Sequence, residues 1–141
     1  MIIAQLRKVT KANATDLANV VAQLRGKKVH TSVVRLQKAV NDKNTVMVVA
    51  KDRTRIVGVG TLYILEGIGK RVSVIEDLVI DSDYRRRGLG ENITRTLIAV
   101  ARKRKVMRVR LTSRSVHAEA HKLYHKLGFK IKDTTVFTMD I

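Results

Sequence analysis

Arginines and glycines crowd together at Arg85-Arg86-Arg87-Gly88-Leu89-Gly90 in a way that suits anion binding. A glycine-rich turn that opens a helix presents unpaired backbone N–H groups and the positive end of the helix dipole. Guanidinium groups at its mouth add charge and paired donors suited to phosphate. The turn therefore reads as a phosphate cradle. It is not a Walker loop, because no Gly-x-x-x-x-Gly-Lys-Ser/Thr string occurs in the chain. It is not the dinucleotide fingerprint either, because Ile93 stands where the third glycine is needed. A second constellation is His117, His121 and His125, which share one helix face at i, i+4 and i+8. A pair at that spacing can bind zinc. Lys122 and Lys126 lie close, however, Glu119 falls on another face, and the chain has no cysteine. The expectation is no metal and a partly exposed histidine stripe.

The elements that must position these residues follow from hydrophobic periodicity. Val72 to Ile80 is strand-like and leads into the cradle, and Leu89 to about Lys105 is an amphipathic helix with Leu89, Ile93, Leu97 and Ala101 recurring at i+4. Upstream, Ile2 to Val9 reads as a strand. A helix capped by Thr10 or Asn13 runs to about Leu24 and ends at Gly26, and a second helix covers about Ser32 to Val40. Thr45 to Ala50 and Arg55 to Leu65 form a hairpin around Lys51-Asp52-Arg53-Thr54. Downstream, Val106 to Leu111 is a strand and a last helix starts near Ser113 or Ser115. Phe129 to Ile131 and Thr135 to Ile141 are expected as closing strands. With no proline, repeat or low-complexity tract, residues 1–141 are expected to form one α/β domain, a mixed central sheet of about six to seven strands flanked by about four helices.

Composition narrows the setting. At 141 residues the chain is long enough for one core without staples. No apolar run long enough to span a bilayer and no signal-peptide pattern is present, so a cytoplasmic protein is expected. The absence of cysteine excludes disulfides and a cysteine nucleophile. The net charge is +17, and between Arg85 and Lys132 only Glu91 and Glu119 oppose a long series of lysines and arginines. Such a field attracts polyanions, whether cofactor, phosphorylated substrate or nucleic acid. With three Tyr, two Phe and no Trp, a base-stacking platform is poorly supplied.

Three stretches resemble motifs of the GCN5-related N-acetyltransferases, the GNAT family. Arg85 to Gly90 is similar to the Arg-x-x-Gly-x-Gly loop that takes the acyl-CoA pyrophosphate. Ala120-His121-Lys122-Leu123-Tyr124-His125-Lys126-Leu127-Gly128-Phe129 meets every fixed position of the family's Ala-x-x-Leu-Tyr-x-Lys-x-Gly-Phe. Ile75-Glu76-Asp77-Leu78-Val79-Ile80-Asp81 looks like the family's cofactor-side strand. The three occur in the right order and spacing, and the order of elements resembles the GNAT fold. One departure is His117, which stands where many members carry an asparagine against the pantetheine arm.

The resemblance implies acetyl-CoA as co-substrate and direct transfer to an amine, without a metal. Glu76 is then the first candidate to accept the ammonium proton, directly or through water, because a carboxylate near a sheet centre can be made more basic by burial. Its alternative is a salt-bridged strand-end carboxylate. Asp77 is the second candidate, pointing to the opposite face on simple alternation. Tyr124 would be the general acid near the CoA sulfur, a backbone N–H around Leu78 would polarise the carbonyl, and Val79 and Ile80 would pair with the pantetheine amides. Arg85, Arg86, Arg87, Gly88, Leu89 and Gly90 would hold the pyrophosphate, and Lys126 could reach the phosphates. The resemblance is to the small-molecule branch, with a small and optionally phosphorylated amine as acceptor and a homodimer as assembly. A macromolecular acceptor (a protein amine or aminoacyl-tRNA) and a non-catalytic basic module that binds nucleic acid are the competing readings.

Overall fold

The computed structural model describes all residues, Met1 to Ile141. They form two compact units, Met1–Leu111 and Thr112–Ile141. The first unit holds β1 (Ile2–Gln5), α1 (Lys11–Arg25), α2 (Val33–Asn41), β2 (Thr45–Asp52), β3 (Arg55–Gly67), β4 (Lys70–Ile80), α3 (Leu89–Lys103) and β5 (Arg108–Arg110). The strands make one sheet in the order β1-β2-β3-β4-β5. The first four are antiparallel neighbours and β5 joins β4 in parallel. The sheet is therefore mixed, with five strands rather than the six to seven expected.

Local chemistry explains the helix ends. Thr10, not Asn13, caps α1. Its hydroxyl accepts from the Asn13 N–H at 3.1 Å, and the Asn13 side chain accepts from the Thr10 N–H at 3.3 Å, a reciprocal capping box. Gly26 closes the same helix in the left-handed conformation at φ 66°. The face of the sheet towards α1 buries Leu17, Val20 and Val21 with Met47, Val49, Val59 and Val79, and Val33, Leu36 and Val40 of α2 pack at its margin. On the other face α3 buries its i+4 stripe, with Ile93 and Leu97 fully buried.

Gly58 and Gly60 of β3 admit α3 to this close approach. A Cβ on Gly60 would lie 2.8 Å from Ile93 Cγ2, 3.0 Å from Leu78 Cδ1 and 3.1 Å from Leu97 Cδ1. The small residues thus set how near the helix after the phosphate turn lies to the strand before it.

The second unit contains α4 (Ala118–Lys126), which begins later than the expected Ser113 or Ser115. His117 is its N-cap and makes no side-chain cap bond. Gly128 follows at φ 94°, where a left-handed residue ends the helix. No strand forms after it, which corrects the two closing strands. Val136, Phe137, Met139 and Ile141 are all exposed. Alternation gives a segment the capacity to be a strand, but a ladder needs an edge to pair with, and residues 130–141 have no ladder partner. No helix in the structure is long and apolar enough to cross a membrane.

Candidate active site

The site is built on β4. Its pairing with β3 runs from Lys70 to Ile80, whereas its pairing with β5 stops at Val74. Beyond Val74 the side of β4 turned away from β3 has no strand partner, which leaves an edge to which an extended amide-bearing chain could add.

The same stretch is bulged. Thr61 pairs with Glu76 and Val59 with Val79, so Gly60 alone opposes both Asp77 and Leu78. Asp77 takes up the extra residue with φ 52°, an uncommon conformation for a non-glycine residue. Simple alternation, which sends Asp77 to the face opposite Glu76, fails at this point. Asp77 instead binds Arg25, the last residue of α1, at 3.0 Å.

Tyr63 marks where these groups converge. It lies two residues along β3 from Thr61, the partner of Glu76, and is part-exposed. Burial raises its pKa above the ordinary phenol value, and the charges of Asp77 and then Glu76 raise it further against the opposing pull of Arg25. Both carboxylates therefore act on one phenol. Glu76 itself is exposed rather than enclosed within the sheet. Tyr63 and Arg25 were not singled out from the sequence. The hairpin register that sets Tyr63 diagonal to Glu76 was the available signal.

The phosphate turn follows Ile80 and is braced from several sides. Asp81 is buried, binds Arg55 at 3.1 Å and accepts from the Asp83 N–H at 3.1 Å. The Ser82 N–H donates to Gln23 of α1 at 2.9 Å, and the Tyr84 hydroxyl donates to Asp52 at 2.8 Å. Two of the three arginines contribute to this bracing. Arg85 donates to the Ile80 carbonyl at 3.1 Å. Arg87 donates to the Asp83 carbonyl at 3.0 Å and stacks over the Tyr84 ring at 4.9 Å. Arg86 is exposed at the left-handed φ of 60°.

Gly88 then caps α3 at φ 74° without any side-chain hydrogen bond. The first-turn N–H groups at Leu89 and Gly90 thus meet no side chain from the N-cap residue. That donor set suits a pyrophosphate. Leu89 is buried, so its share in such a contact is its backbone N–H.

In the second unit Tyr124 is half-buried and meets the Phe129 ring edge-on, with centroids 5.9 Å apart at 67°. Burial raises its pKa above the usual value, so the hydroxyl holds its proton more firmly than a free phenol does. Lys126 is exposed in the last turn of α4, as is His125, while His121 is half-buried. No three His, Asp or Glu side chains come together as a metal-ligand set.

A strand edge, a braced glycine turn and an uncapped helix start, in that order, suit an extended amide-bearing chain that ends in an anion. The sequence pattern of the Acetyltransferase (GNAT) family matches residues 16–129. The chain belongs to that acetyltransferase family, whose co-substrate is acetyl-CoA.

Solved structures share the fold. An aminoglycoside acetyltransferase from an uncultured soil metagenomic sample superposes with a TM-score of 0.85 at 22% identity, over 99% of this chain and 95% of that one. An acetyltransferase from Trypanosoma brucei gives 0.80 at 24% identity, covering 99% of each chain. Glucosamine-6-phosphate N-acetyltransferase from Arabidopsis thaliana gives 0.80 at 19%, again over 99% of both. No curated protein matches the sequence.

Proposed function

We propose that the protein transfers acetyl from acetyl-CoA directly to a primary amine of a small molecule. One observation carries the reading: the β4 bulge sets Glu76 and Asp77 together beside Tyr63, two carboxylates and a protonated phenol at one exposed place. Such a group attracts an ammonium ion and offers acceptors for its protons. Aminoglycoside and glucosamine-phosphate acetyltransferases among the similar folds support an amine acceptor of this size.

In the reaction the amine nitrogen forms a bond to the thioester carbonyl carbon and the carbon–sulfur bond breaks. Glu76 takes the proton that the ammonium group loses, through water, since it stands exposed. Asp77 is held by Arg25 and contributes charge. The extra residue of a bulge leaves backbone groups out of the ladder, which supports the Leu78 N–H as the donor to the developing oxyanion. Val79 and Ile80 bind the pantetheine arm along the β4 edge. The pyrophosphate takes the N–H groups of Gly88, Leu89 and Gly90 with Arg85, Arg86 and Arg87, and Lys126 adds charge. Tyr124 gives its proton to the leaving sulfur and regains one from the nitrogen, which sheds its second proton as the amide forms.

Thiol release from acetyl-CoA, scanned across phosphoamines, polyamines, aminoglycosides, peptides and aminoacyl-tRNA, tests this. Turnover is expected with small amines and should fall about 100-fold in Glu76→Gln. Turnover confined to peptide or tRNA acceptors, or full activity in Glu76→Gln, would refute it.

A further inference from the structure

The charge on this protein exceeds what one pyrophosphate needs, and the fold gathers much of the excess at a place remote from the phosphate turn. Three segments distant in sequence meet at the end of β4 where that strand begins. Arg71 donates to the Arg104 carbonyl at 2.8 Å, and Arg104 in turn hydrogen-bonds the Lys43 carbonyl. The Met107 N–H donates to the Arg71 carbonyl at 2.8 Å, and Arg108 is in register with Val72. Around this knot Lys43, Lys70, Lys103, Lys105, Arg108 and Arg110 are all exposed, and none forms an ion pair. Glu66 is already matched by Arg71. A shallow pocket of about 150 Å³ opens between Lys43, Asn44, Ile64, Glu66, Arg71 and Arg104.

The phosphate turn lies past the other end of β4, an 11-residue strand, roughly 30 Å away at the usual rise of a strand. This pole therefore cannot serve the same pyrophosphate. Placing so many like charges side by side costs folding energy through repulsion, and no internal carboxylate offsets it. The cations at the end of α3, and Lys43 just past the end of α2, gain from a helix dipole. Lys70, Arg108 and Arg110 have no such compensation.

We propose that this pole binds the phosphate backbone of a double-stranded nucleic acid. A row of phosphates at duplex spacing matches cations from several segments spread over one surface. One ring of the first unit, Tyr63, borders this surface through Val74, the partner of Arg110, and a single ring is not the row of platforms that single strands stack upon. The surface contacts phosphates and reads no base sequence.

The test uses the full-length protein and a fluorescent duplex of about two helical turns, as DNA and as RNA, titrated over a range of salt. Saturable binding to either duplex is expected, with an affinity that falls steeply with salt. The quadruple variant Lys103→Gln, Lys105→Gln, Arg108→Gln, Arg110→Gln should weaken it about tenfold or more and flatten the log–log salt slope by about 0.9 per lost phosphate contact. Its acetyl-CoA affinity and melting temperature should match wild type. Arg86→Gln with Arg87→Gln should weaken acetyl-CoA and leave the duplex slope in place. The charge-conserving pair Arg108→Lys, Arg110→Lys should keep duplex binding. The proposal is overturned if the quadruple variant binds as wild type, if the phosphate-turn variant loses the duplex equally, or if the charge-conserving pair also loses it. Equal affinity for polyglutamate or for anionic phospholipid vesicles would overturn it as well.

Discussion

Tyr124 and Glu76 carry the proposed proton transfers, and they differ in what prepares them. Burial disfavours the Tyr124 phenolate and raises its pKa above the ordinary value, so the group stands protonated before it delivers a proton. Glu76 is open to water, which suits a group that must receive one and pass it on. On this chemistry Tyr124→Phe should lower kcat about 100-fold while the dissociation constant of acetyl-CoA, measured by calorimetry, stays within about twofold of wild type. An equal loss in binding would mean that the hydroxyl positions the thioester instead. Tyr63 is the residue whose importance the sequence concealed. It becomes visible only when the β3–β4 register sets it beside two carboxylates.

Between elements, the distance that matters is the one from β4 to α3, and glycine in β3 sets it. Gly60→Ala would place a methyl group against Ile93, Leu78 and Leu97. Ile93 and Leu97 are fully buried and cannot swing aside. The substitution should cost about 1–3 kcal/mol, read as a lower urea midpoint with unchanged slope. It should also weaken acetyl-CoA binding, because α3 carries the N–H groups of the phosphate turn. A variant as stable as wild type would show that the helix can yield.

The same element scale shows where sequence reading succeeds and fails. The i+4 stripe of α3, the capping residues of α1 and the hairpin turn are local patterns, and each appears as expected. The face of Asp77 does not, because a bulge depends on how two strands are matched rather than on either one. The closing strands failed for a related reason: residues 130–141 have strand-like composition but join no ladder.

Across the whole molecule, all three tyrosines hold their protons more strongly than a free phenol, for different reasons. Burial comes first for Tyr63 and for Tyr124, and the hydrogen bond to Asp52 comes first for Tyr84. The folded chain therefore binds protons that the unfolded chain releases near the ordinary value of 10. By linkage this contribution to stability is fully present below about pH 10 and is lost as pH rises through the folded-state values. Absorbance titration at the phenolate band should show ionisation displaced above 10 in the native protein and restored to the ordinary value in urea. Native and unfolded titrations that coincide would contradict the burial of Tyr63 and Tyr124.

The glycine turn, the helix that follows it and the family resemblance were legible in the sequence because they depend on residues close together along the chain. A glycine at a left-handed φ, an i+4 apolar stripe and an arginine run are local properties. Tertiary structure alone decided that Asp77 joins Glu76 beside Tyr63, that two of the three arginines brace the turn, and that Lys43, Lys70, Lys105 and Arg108 share one pole. Those outcomes depend on strand register and on contacts between segments dozens of residues apart, and one residue of bulge is enough to change which side chains meet.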